Sequence, residues 1–482
     1  MKIITNRNII ILIVLLCFIS RLPQLLSDKL LLDGDECVVA MMTKHLLVGK
    51  DISFFFYGQA YGFSFIECLF ILPFFALFGI STICVKTSML LLWTIGVIFL
   101  YKALTAISRN TTTSLILILT FVALPAWAVW SMKARGGYLT AFTVTFIILY
   151  LLFKKETIKA SFTYYIIGIL LVLVYQSQPL WLPGLIPLLL FKGFENKKRL
   201  LQMAIPIIIL SLAFLIIKQS LPQFYVLKDF ISLQESIKNI PRIPTFLYAS
   251  QHGKYFFDQV QQPDNITALC AILLCALTII LPLIALTNFI RSGKIILFTV
   301  TAFSIVLTLS YTIISEKLEP RYLLPIAGFT LLSLQVFLVE RPSVVKIFYP
   351  VAAIIIIMGG CSLYTFKNFV FCKTSEKLFR QTLQCLADNN VHYTYCNDNL
   401  LTWQIIFYSK EQILCHERFL PGRYPEYTHK VDSAYNAGAK TALVGFEQEY
   451  YGLDIRPSLT MNGFFILYNP PKTLLQKNFR LW

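Results

Sequence analysis

Residues 65–80 read FIECLFILPFFALFGI, and whether this apolar stretch crosses a membrane decides the topology of the whole chain. It is only about 16 residues long, with Glu67 near its start and Pro73 in its middle, whereas a transmembrane helix needs roughly 20 apolar residues. We therefore predict a helix that lies in the membrane interface. That assignment fixes the side of the membrane on which every later loop lies.

The composition around this stretch is that of a membrane protein. Of the 482 residues 57% are hydrophobic and 14% charged, and the mean hydropathy is +0.68. Because soluble proteins carry about 25% charged residues, a soluble globular chain is excluded. Apolar runs recur from residue 8 to about 366 and then stop. The sequence predicts a polytopic α-helical membrane domain over residues 1–368 and a small α/β domain over residues 369–482.

The interfacial assignment leaves eleven predicted spans, near residues 8–25, 84–104, 112–131, 139–153, 161–176, 179–192, 200–217, 266–290, 295–315, 322–340 and 347–366. Short cytoplasmic loops of membrane proteins are enriched in Lys and Arg. With eleven spans, the connections assigned to the cytoplasm contain Lys102, Arg109, Lys154, Lys155, Lys159, Lys192, Lys197, Lys198, Arg199, Arg291, Lys294, Arg341 and Lys346. We therefore expect a cytoplasmic N-terminus and an extracytoplasmic C-terminal domain.

The first outside loop concentrates acidic residues. Residues 31–49 read LLDGDECVVAMMTKHLLVG, with Asp33, Asp35 and Glu36 before a run of helical periodicity. This pattern predicts an amphipathic helix lying on the membrane. One acid would serve as the helix N-cap, but three acids in four positions exceed what a cap requires. A carboxylate here can act as a general base, so all three acids are candidate catalytic residues.

The same loop continues with polar and aromatic residues. The segment YGQAYGFSFIE, residues 57–67, places Tyr57, Gln59, Tyr61 and Glu67 just before the apolar helix. Aromatic belts at membrane interfaces offer a structural explanation for the tyrosines. A carboxylate inside an apolar helix needs a partner or a function, and for Glu67 the two explanations carry equal weight. We treat these four residues as candidate substrate-binding residues.

Cations interrupt two other outside loops. WSMKARGGYLT, residues 130–140, contains Lys133 and Arg135, and SEKLEPRYLLP, residues 315–325, contains Lys317 and Arg321. A single cation at a helix end commonly extends its charge into the interface. Several cations in short outside loops, where the positive-inside rule disfavours them, predict a phosphate site at headgroup depth.

Several other functions lack support in the sequence. The net charge of +17 is carried mainly by loop cations, and no basic-aromatic motif for nucleic acid occurs. The five histidines show no metal-ligand spacing and no Walker motif is present, so neither a divalent metal nor a nucleotide cofactor is expected. Four cysteines of the C-terminal region would be able to form disulfides outside the cytoplasm, with a pairing that the sequence leaves open: Cys372, Cys385, Cys396 and Cys415.

Taken in order, Asp35-Glu36, YGQAYGFSFIE, ARGGY and RYLLP resemble the GT-C superfamily of polytopic glycosyltransferases. The resemblance is to the bacterial relatives of protein O-mannosyltransferases and lipid A aminoarabinose transferases, and it covers roughly residues 8–366. It implies transfer of a sugar from a polyprenyl-phosphate donor to an acceptor on the outer face of the membrane. The acid of the first outside loop is the catalytic base in that family, which maps onto Asp35, with Glu36 beside it.

The resemblance also implies roles for the other candidates. The donor phosphate would be bound by Lys133, Arg135, Arg321 and Tyr322, and Tyr138 of the ARGGY segment would join the substrate-binding residues. Because the extra acid in DGDE departs from the pattern, Asp33 remains an alternative base. The acceptor would be a glycolipid, a polysaccharide or a protein, and the location the bacterial inner membrane.

A transporter or flippase for a lipid-linked or anionic solute is the main alternative function. Such a protein should carry ionisable residues near the middles of its spans, whereas here the charges lie near the predicted span ends. For the C-terminal domain we keep two roles open: acceptor binding, and a lid that packs over the loops. Residues 398–431 show no catalytic spacing, and we expect no more than contacts from them.

Overall fold

The computed structural model describes residues 6–28, 30–155, 160–219, 221, 232–252, 265–314, 319–365, 375–418, 422–447 and 456–476. Its first part is helical. The helices are Asn6–Ile19, Leu22–Leu25, Gly34–Leu47, Phe65–Phe78, Thr82–Ser108, Thr111–Val122, Pro125–Trp130, Tyr138–Phe153, Ala160–Ser177, Leu182–Phe194, Lys197–Gln219, Leu233–Asn239, Ile243–His252, Asn265–Ser292, Leu297–Ile313, Leu324–Glu340 and Pro342–Thr365, with 3-10 turns at Pro179–Trp181, Ile240–Arg242 and Pro320–Leu323.

The molecule is an integral membrane protein built around these helices. Six of them are long and apolar enough to cross a membrane: Asn6–Leu25, Thr82–Ser108, Lys197–Gln219, Ala268–Ser292, Pro320–Glu340 and Pro342–Gly360. Each of the other predicted spans coincides with a shorter apolar helix. The total of eleven spans stays a prediction.

Two segments differ in detail from the expectation. The predicted span 112–131 is two helices, because the chain leaves the helical path at Leu124 (ψ 128°) before Pro125 begins the second helix. The break exposes a carbonyl at Val122, which the buried Arg21 guanidinium satisfies at 3.0 Å. Helix Phe65–Phe78 has 14 residues, about 21 Å at 1.5 Å per residue, which is short for a crossing.

The helix that begins at the acids, Gly34–Leu47, is called the acidic helix below. We expected it to lie on the membrane; its position relative to a membrane stays a prediction, but protein, not lipid, covers most of it. Ten of its fourteen residues are buried, because helix Phe65–Phe78 covers one side and helix Asn399–Tyr408 of the C-terminal part covers another. The helix is therefore enclosed by protein, and the acids at its start lie between the membrane helices and the C-terminal domain.

The C-terminal part forms a five-stranded mixed sheet, as the α/β prediction requires. The strands are β1 Tyr393–Cys396, β2 Leu414–Glu417, β3 Thr441–Phe446, β4 Leu459–Met461 and β5 Phe464–Tyr468, in the order β2-β1-β3-β5-β4. β1 pairs in parallel with β2 and β3, whereas β5 pairs antiparallel with β3 and β4. The accompanying helices are Glu376–Asp388, Asn399–Tyr408, Pro425–Asn436 and Lys472–Gln476.

Two predictions about the C-terminal part concern its boundary and its cysteines. The predicted domain boundary at residues 368 and 369 lies outside the described residues, as does Cys372. Cys385, Cys396 and Cys415 are free thiols, so these three form no disulfide in the structure.

Helix Asn399–Tyr408, called the docking helix below, holds the C-terminal domain against the first loop. Its Gln404 donates from Nε2 to the Leu32 carbonyl at 2.7 Å, and the Tyr408 hydroxyl accepts from the Leu32 amide at 2.8 Å. This packing requires a glycine at position 34, because a Cβ on Gly34 would lie 2.1 Å from the Leu400 Cα atom. The two backbones therefore touch at the residue between Asp33 and Asp35.

Candidate active site

The acids of the DGDE segment have separate structural positions. Asp33 is the N-cap of the acidic helix: its Oδ1 accepts from the Glu36 amide at 2.9 Å, and Glu36 Oε2 accepts from the Asp33 amide at 3.0 Å. This reciprocal capping box satisfies two backbone donors that a helix start leaves without partners. Asp33 and Glu36 thus form the helix start, and Asp35 is left outside the capping box.

Two buried lysines neutralise the capping acids. Lys133 Nζ lies 2.6 Å from Asp33 Oδ2, and Lys86 Nζ lies 2.6 Å from Glu36 Oε1. Buried charges require partners of opposite sign. Burial opposes ionisation of Asp33, but the charges of Lys133 and Arg135 outweigh it and hold the pKa of Asp33 well below its ordinary value. Burial raises the pKa of Glu36, with Lys86 opposing the shift.

Asp35 is the most accessible of the three acids. Its side chain is 14% exposed, against 9% for Asp33 and 0% for Glu36. Arg135 Nη2 lies 2.8 Å from Asp35 Oδ2, and Arg135 Nη1 lies 3.9 Å from Asp33 Oδ2. One guanidinium therefore joins the predicted phosphate segment to both aspartates.

Arg423 approaches Asp35 from the opposite side. Its Nη2 atom lies 3.8 Å from Asp35 Oδ1. The residue belongs to the C-terminal segment 398–431, for which we expected no more than contacts, and the contact that it makes is with a candidate catalytic acid. The sequence around it, PGRYPEY, carries no signal for such a role.

The segment YGQAYGFSFIE surrounds the acids and brings the remaining candidates together. Tyr61 lies close enough to Asp35, Arg423, Tyr322 and Arg321 for their charges to act on its hydroxyl. Burial raises the pKa of this hydroxyl. A carboxylate, two guanidinium groups and one other phenol, from three distant parts of the sequence, thus lie around Tyr61.

Three other members of the segment have different surroundings. Tyr57 is buried and its hydroxyl lies 2.9 Å from His45 Nδ1. Gln59 is half-buried. Glu67 is fully buried, and its Oε1 accepts from the Gly137 amide at 3.1 Å. Because Gly137 has a φ of 84° in the ARGGY turn, Glu67 holds that turn in a conformation that favours glycine.

Arg321 lies at the far side of the cluster. Its Nε is 2.6 Å from Glu319 Oε2, and its guanidinium lies 5.5 Å from the centre of the Tyr322 ring. The charge of Arg321 also acts on Arg135 and on Tyr138. Lys317, the other predicted cation of this loop, lies outside the described residues.

A small cavity of about 10 Å³, roughly the room that one water molecule needs, lies beside Arg321 among aromatic side chains. Its walls include Trp127, Trp130, Tyr138, Trp181 and Arg321. Aromatic faces present an apolar surface with an electron-rich π system. The cavity therefore combines apolar aromatic walls with one guanidinium, at a size that holds about one water molecule.

Sequence reasoning missed three charged neighbours of the candidates: Lys86, Glu319 and Arg423. A lone lysine at the start of a long apolar helix is a weak signal for a buried acid partner, and this signal was available for Lys86. Among the described residues, no group of three or more His, Cys, Asp and Glu side chains forms a metal site.

No protein-family model matches the chain, and no curated protein matches its sequence. Its fold is similar to solved structures. One is ArnT from Cupriavidus metallidurans bound to undecaprenyl phosphate, with a TM-score of 0.60 and 12% identity over 96% of this chain and 98% of that one. The other is the same ArnT in the apo state, with a TM-score of 0.50 and 11% identity over 97% and 98%.

These similarities identify the architecture along nearly the whole length of both chains. ArnT is a lipid A aminoarabinose transferase with the GT-C fold. The fold expected from the resemblance is therefore confirmed: the chain is a GT-C-like helical membrane protein with a small C-terminal sheet domain.

Proposed function

We propose that this protein is a membrane glycosyltransferase that moves a sugar from a polyprenyl-phosphate donor to an acceptor on the outer face of the membrane. One observation carries the proposal: the partly accessible carboxylate of Asp35 lies 2.8 Å from Arg135, beside the further cations Lys133 and Arg423. A base beside an anion site is what transfer from a phosphate leaving group requires.

The cations give the donor its binding site. Arg135, Lys133 and Arg321 supply positive charge, and Tyr322 adds a hydroxyl. The structural neighbour ArnT binds undecaprenyl phosphate, which supports a lipid-linked phosphate as ligand here.

The reaction is a single displacement. The acceptor oxygen or nitrogen forms a bond to the anomeric carbon while the bond from that carbon to the phosphate oxygen breaks. Asp35 takes the proton from the acceptor. The electron pair leaves with the polyprenyl phosphate, whose additional negative charge is stabilised by Arg135 and its neighbours. Attack opposite to the leaving group inverts the anomeric configuration.

Asp35 suits the base role better than its neighbours do. Asp33 uses one oxygen to cap the acidic helix and the other to bind Lys133, and its lowered pKa makes it a weak base. Glu36 likewise holds the cap and Lys86, and is fully buried. We therefore assign structural roles to these two acids.

Of the remaining candidates, Tyr61 lies near Asp35 and Tyr138 borders the same small cavity as Arg321; these two, with Gln59, are proposed to shape the space for sugar and acceptor. Tyr57 and Glu67 are buried against His45 and the Gly137 turn, and we propose that they support the site from there. The acceptor is a glycolipid, a polysaccharide or a protein, and neither a metal nor a nucleotide takes part. The proposed location is the bacterial inner membrane, with the site and the C-terminal domain outside the cytoplasm.

The test is transfer by purified protein from a panel of radiolabelled polyprenyl-phosphate sugars to extracts of cell-envelope acceptors. We expect the wild type to transfer one of the sugars and Asp35→Asn to lose at least about a hundredfold in rate, within the range for loss of a general base. Asp51→Asn, which neutralises an exposed aspartate further along the same loop, is the matched control and should retain the wild-type rate.

Two results would contradict the proposal. Full activity of Asp35→Asn would remove Asp35 from the mechanism. Movement of the lipid-linked sugar across proteoliposome membranes without any transfer would favour the transporter or flippase instead.

A further inference from the structure

Arg423 is the C-terminal domain's contribution to the surroundings of Asp35. It precedes helix Pro425–Asn436, and only 8% of it is exposed. Its Nη2 lies 3.8 Å from Asp35 Oδ1, and its guanidinium lies 4.9 Å from the centre of the Phe56 ring. The side chain thus spans from its own domain to the first loop, and its charged end lies next to the proposed base.

Asn399 and Glu417 of the C-terminal domain also contribute to the position of this guanidinium. With its amide oriented to donate to Glu417 Oε2 at 3.1 Å, Asn399 accepts from Arg423 Nη2 at 3.1 Å. A Cβ on Gly58 would lie 3.0 Å from the Arg423 Cα atom, so the backbone of Arg423 packs closely on the first loop. The position of the arginine is therefore set at both ends of its side chain.

The domain that carries Arg423 is itself fixed to the acidic helix. His45 Nε2 lies 2.8 Å from the Tyr427 hydroxyl, and Lys44 forms an ion pair with Glu411. Tyr427 and Glu411 belong to the C-terminal domain, and both contacts lie on the helix that begins at the acids. Because hydrogen bonds and ion pairs depend on the direction of their partners, these contacts favour one position of the domain relative to Asp35.

We propose that Arg423 is a positioning residue: together with Arg135 it holds the Asp35 carboxylate between two guanidinium groups, so that the C-terminal domain completes the active site. This inference rests on the proposed glycosyltransferase function. Arg135 binds one oxygen of the carboxylate and Arg423 faces the other. Two cations on opposite oxygens restrict rotation of the carboxylate and orient it for proton transfer.

The distance between Arg423 and Asp35 predicts which residue can replace the arginine. At 3.8 Å the contact with Asp35 is longer than a hydrogen bond, which spans about 2.7–3.2 Å, so it acts through charge. A lysine can supply charge without the geometry of the guanidinium fork. Arg423→Lys should therefore recover most of what Arg423→Met loses.

The experiment compares Arg423→Met, Arg423→Lys and a control, Arg418→Met. Arg418 lies in the same domain and binds Asn397 Oδ1 at 2.8 Å, so its loss weakens the domain without touching the acids. We expect Arg423→Met to lower kcat by about 10- to 100-fold, the range for a slight misplacement of a catalytic group, with the KM for the donor within about twofold. Arg423→Lys should remain within about tenfold of the wild-type kcat, and Arg418→Met should keep kcat per folded molecule.

Binding of undecaprenyl phosphate, measured by quenching of tryptophan fluorescence, separates positioning from direct phosphate contact. Arg423→Met should bind this probe as the wild type does, whereas Arg135→Met should bind it at least fivefold more weakly. Equal weakening by both substitutions would show that Arg423 is a phosphate ligand and would overturn the inference. So would equal losses of kcat in Arg423→Met and Arg418→Met, which would indicate a purely structural role.

A readout without turnover keeps the inference testable if the wild type transfers no sugar and the proposed function fails. Carbodiimides modify carboxyl groups that are accessible and not held in ion pairs, and mass spectrometry of the peptide locates the modified acid. Arg423→Met should speed modification of Asp35 several-fold, while Arg418→Met should not. Unchanged modification of Asp35 in Arg423→Met would refute the contact itself.

Discussion

Gly34→Ala should disturb the acids by the addition of one methyl group. The new Cβ would lie 2.1 Å from the Leu400 Cα atom and 2.3 Å from the Leu400 carbonyl oxygen. Carbon atoms pack at about 3.5–4.0 Å, so one backbone must move by about 1.5 Å. Both sides of the contact are main chain, and neither can yield by a rotamer change. The displacement therefore falls on the DGDE segment or on the docking helix.

The size of the effect follows from that displacement. A misplacement of about 1 Å at a reacting group can cost about a hundredfold in rate, and overpacking costs typically 1–3 kcal/mol of stability. We expect the variant to fold, to melt at a lower temperature and to lose at least about tenfold in kcat. Melting in detergent and transfer of the radiolabelled sugar measure the two effects separately.

Gly360→Ala is the matched control, because a Cβ at Gly360 would meet no atom within 4 Å. That variant should match the wild type in rate and melt no lower. The reasoning would be refuted if Gly34→Ala kept the wild-type kcat, whether or not its melting temperature fell, because the acids would then be independent of the docking helix.

Two further predictions concern buried carboxyl groups. Burial raises the pKa of Glu67 to about 8, so its carboxyl group is mostly protonated at pH 7 and Glu67→Gln should keep activity within about threefold. Glu67→Ala leaves the Gly137 amide without its acceptor and should lower stability by about 1–3 kcal/mol, which a lower melting temperature would show. Burial raises the pKa of Glu417 to about 7, with Arg423 opposing the shift. Between about pH 5 and 7 the folded state keeps a proton that the unfolded chain has lost, so stability should fall by about 2 kcal/mol as pH rises. Melts at the two pH values should show a smaller fall for Glu417→Gln, and an equal fall would contradict the assignment.

The fold was predictable where a single physical signal dominates. The length of the apolar runs predicted the membrane helices, and each predicted span coincides with helix in the structure. In the C-terminal part, TALVGF became β3 and FFILY became β5, because short runs of β-branched and aromatic residues favour strands. The break at Leu124 was marked by Pro125, yet an apolar run of sufficient length concealed it.

The candidate site was predictable as a set of residues but not as a set of contacts. The acids and the cations of ARGGY stand out because charge near lipid is costly, and the structure brings Lys133 and Arg135 to Asp33 and Asp35. Both aspartates are good N-cap residues, and only Asp33 has a glutamate three residues later for a capping box, a local sign of its role. The partners of Asp35, Arg135 and Arg423, are long-range and left no such sign.

The largest gap concerns the C-terminal domain, and its cause is physical. The acidic helix was expected to lie on the membrane because its apolar residues need cover, and periodicity does not say whether lipid or protein supplies it. The docking helix supplies it, and the close contact at Gly34 brings Arg423 within reach of Asp35. An arginine nearly 400 positions from its partner leaves no periodic trace in the sequence. The glycine between two acids was the one local sign that another backbone had to approach there.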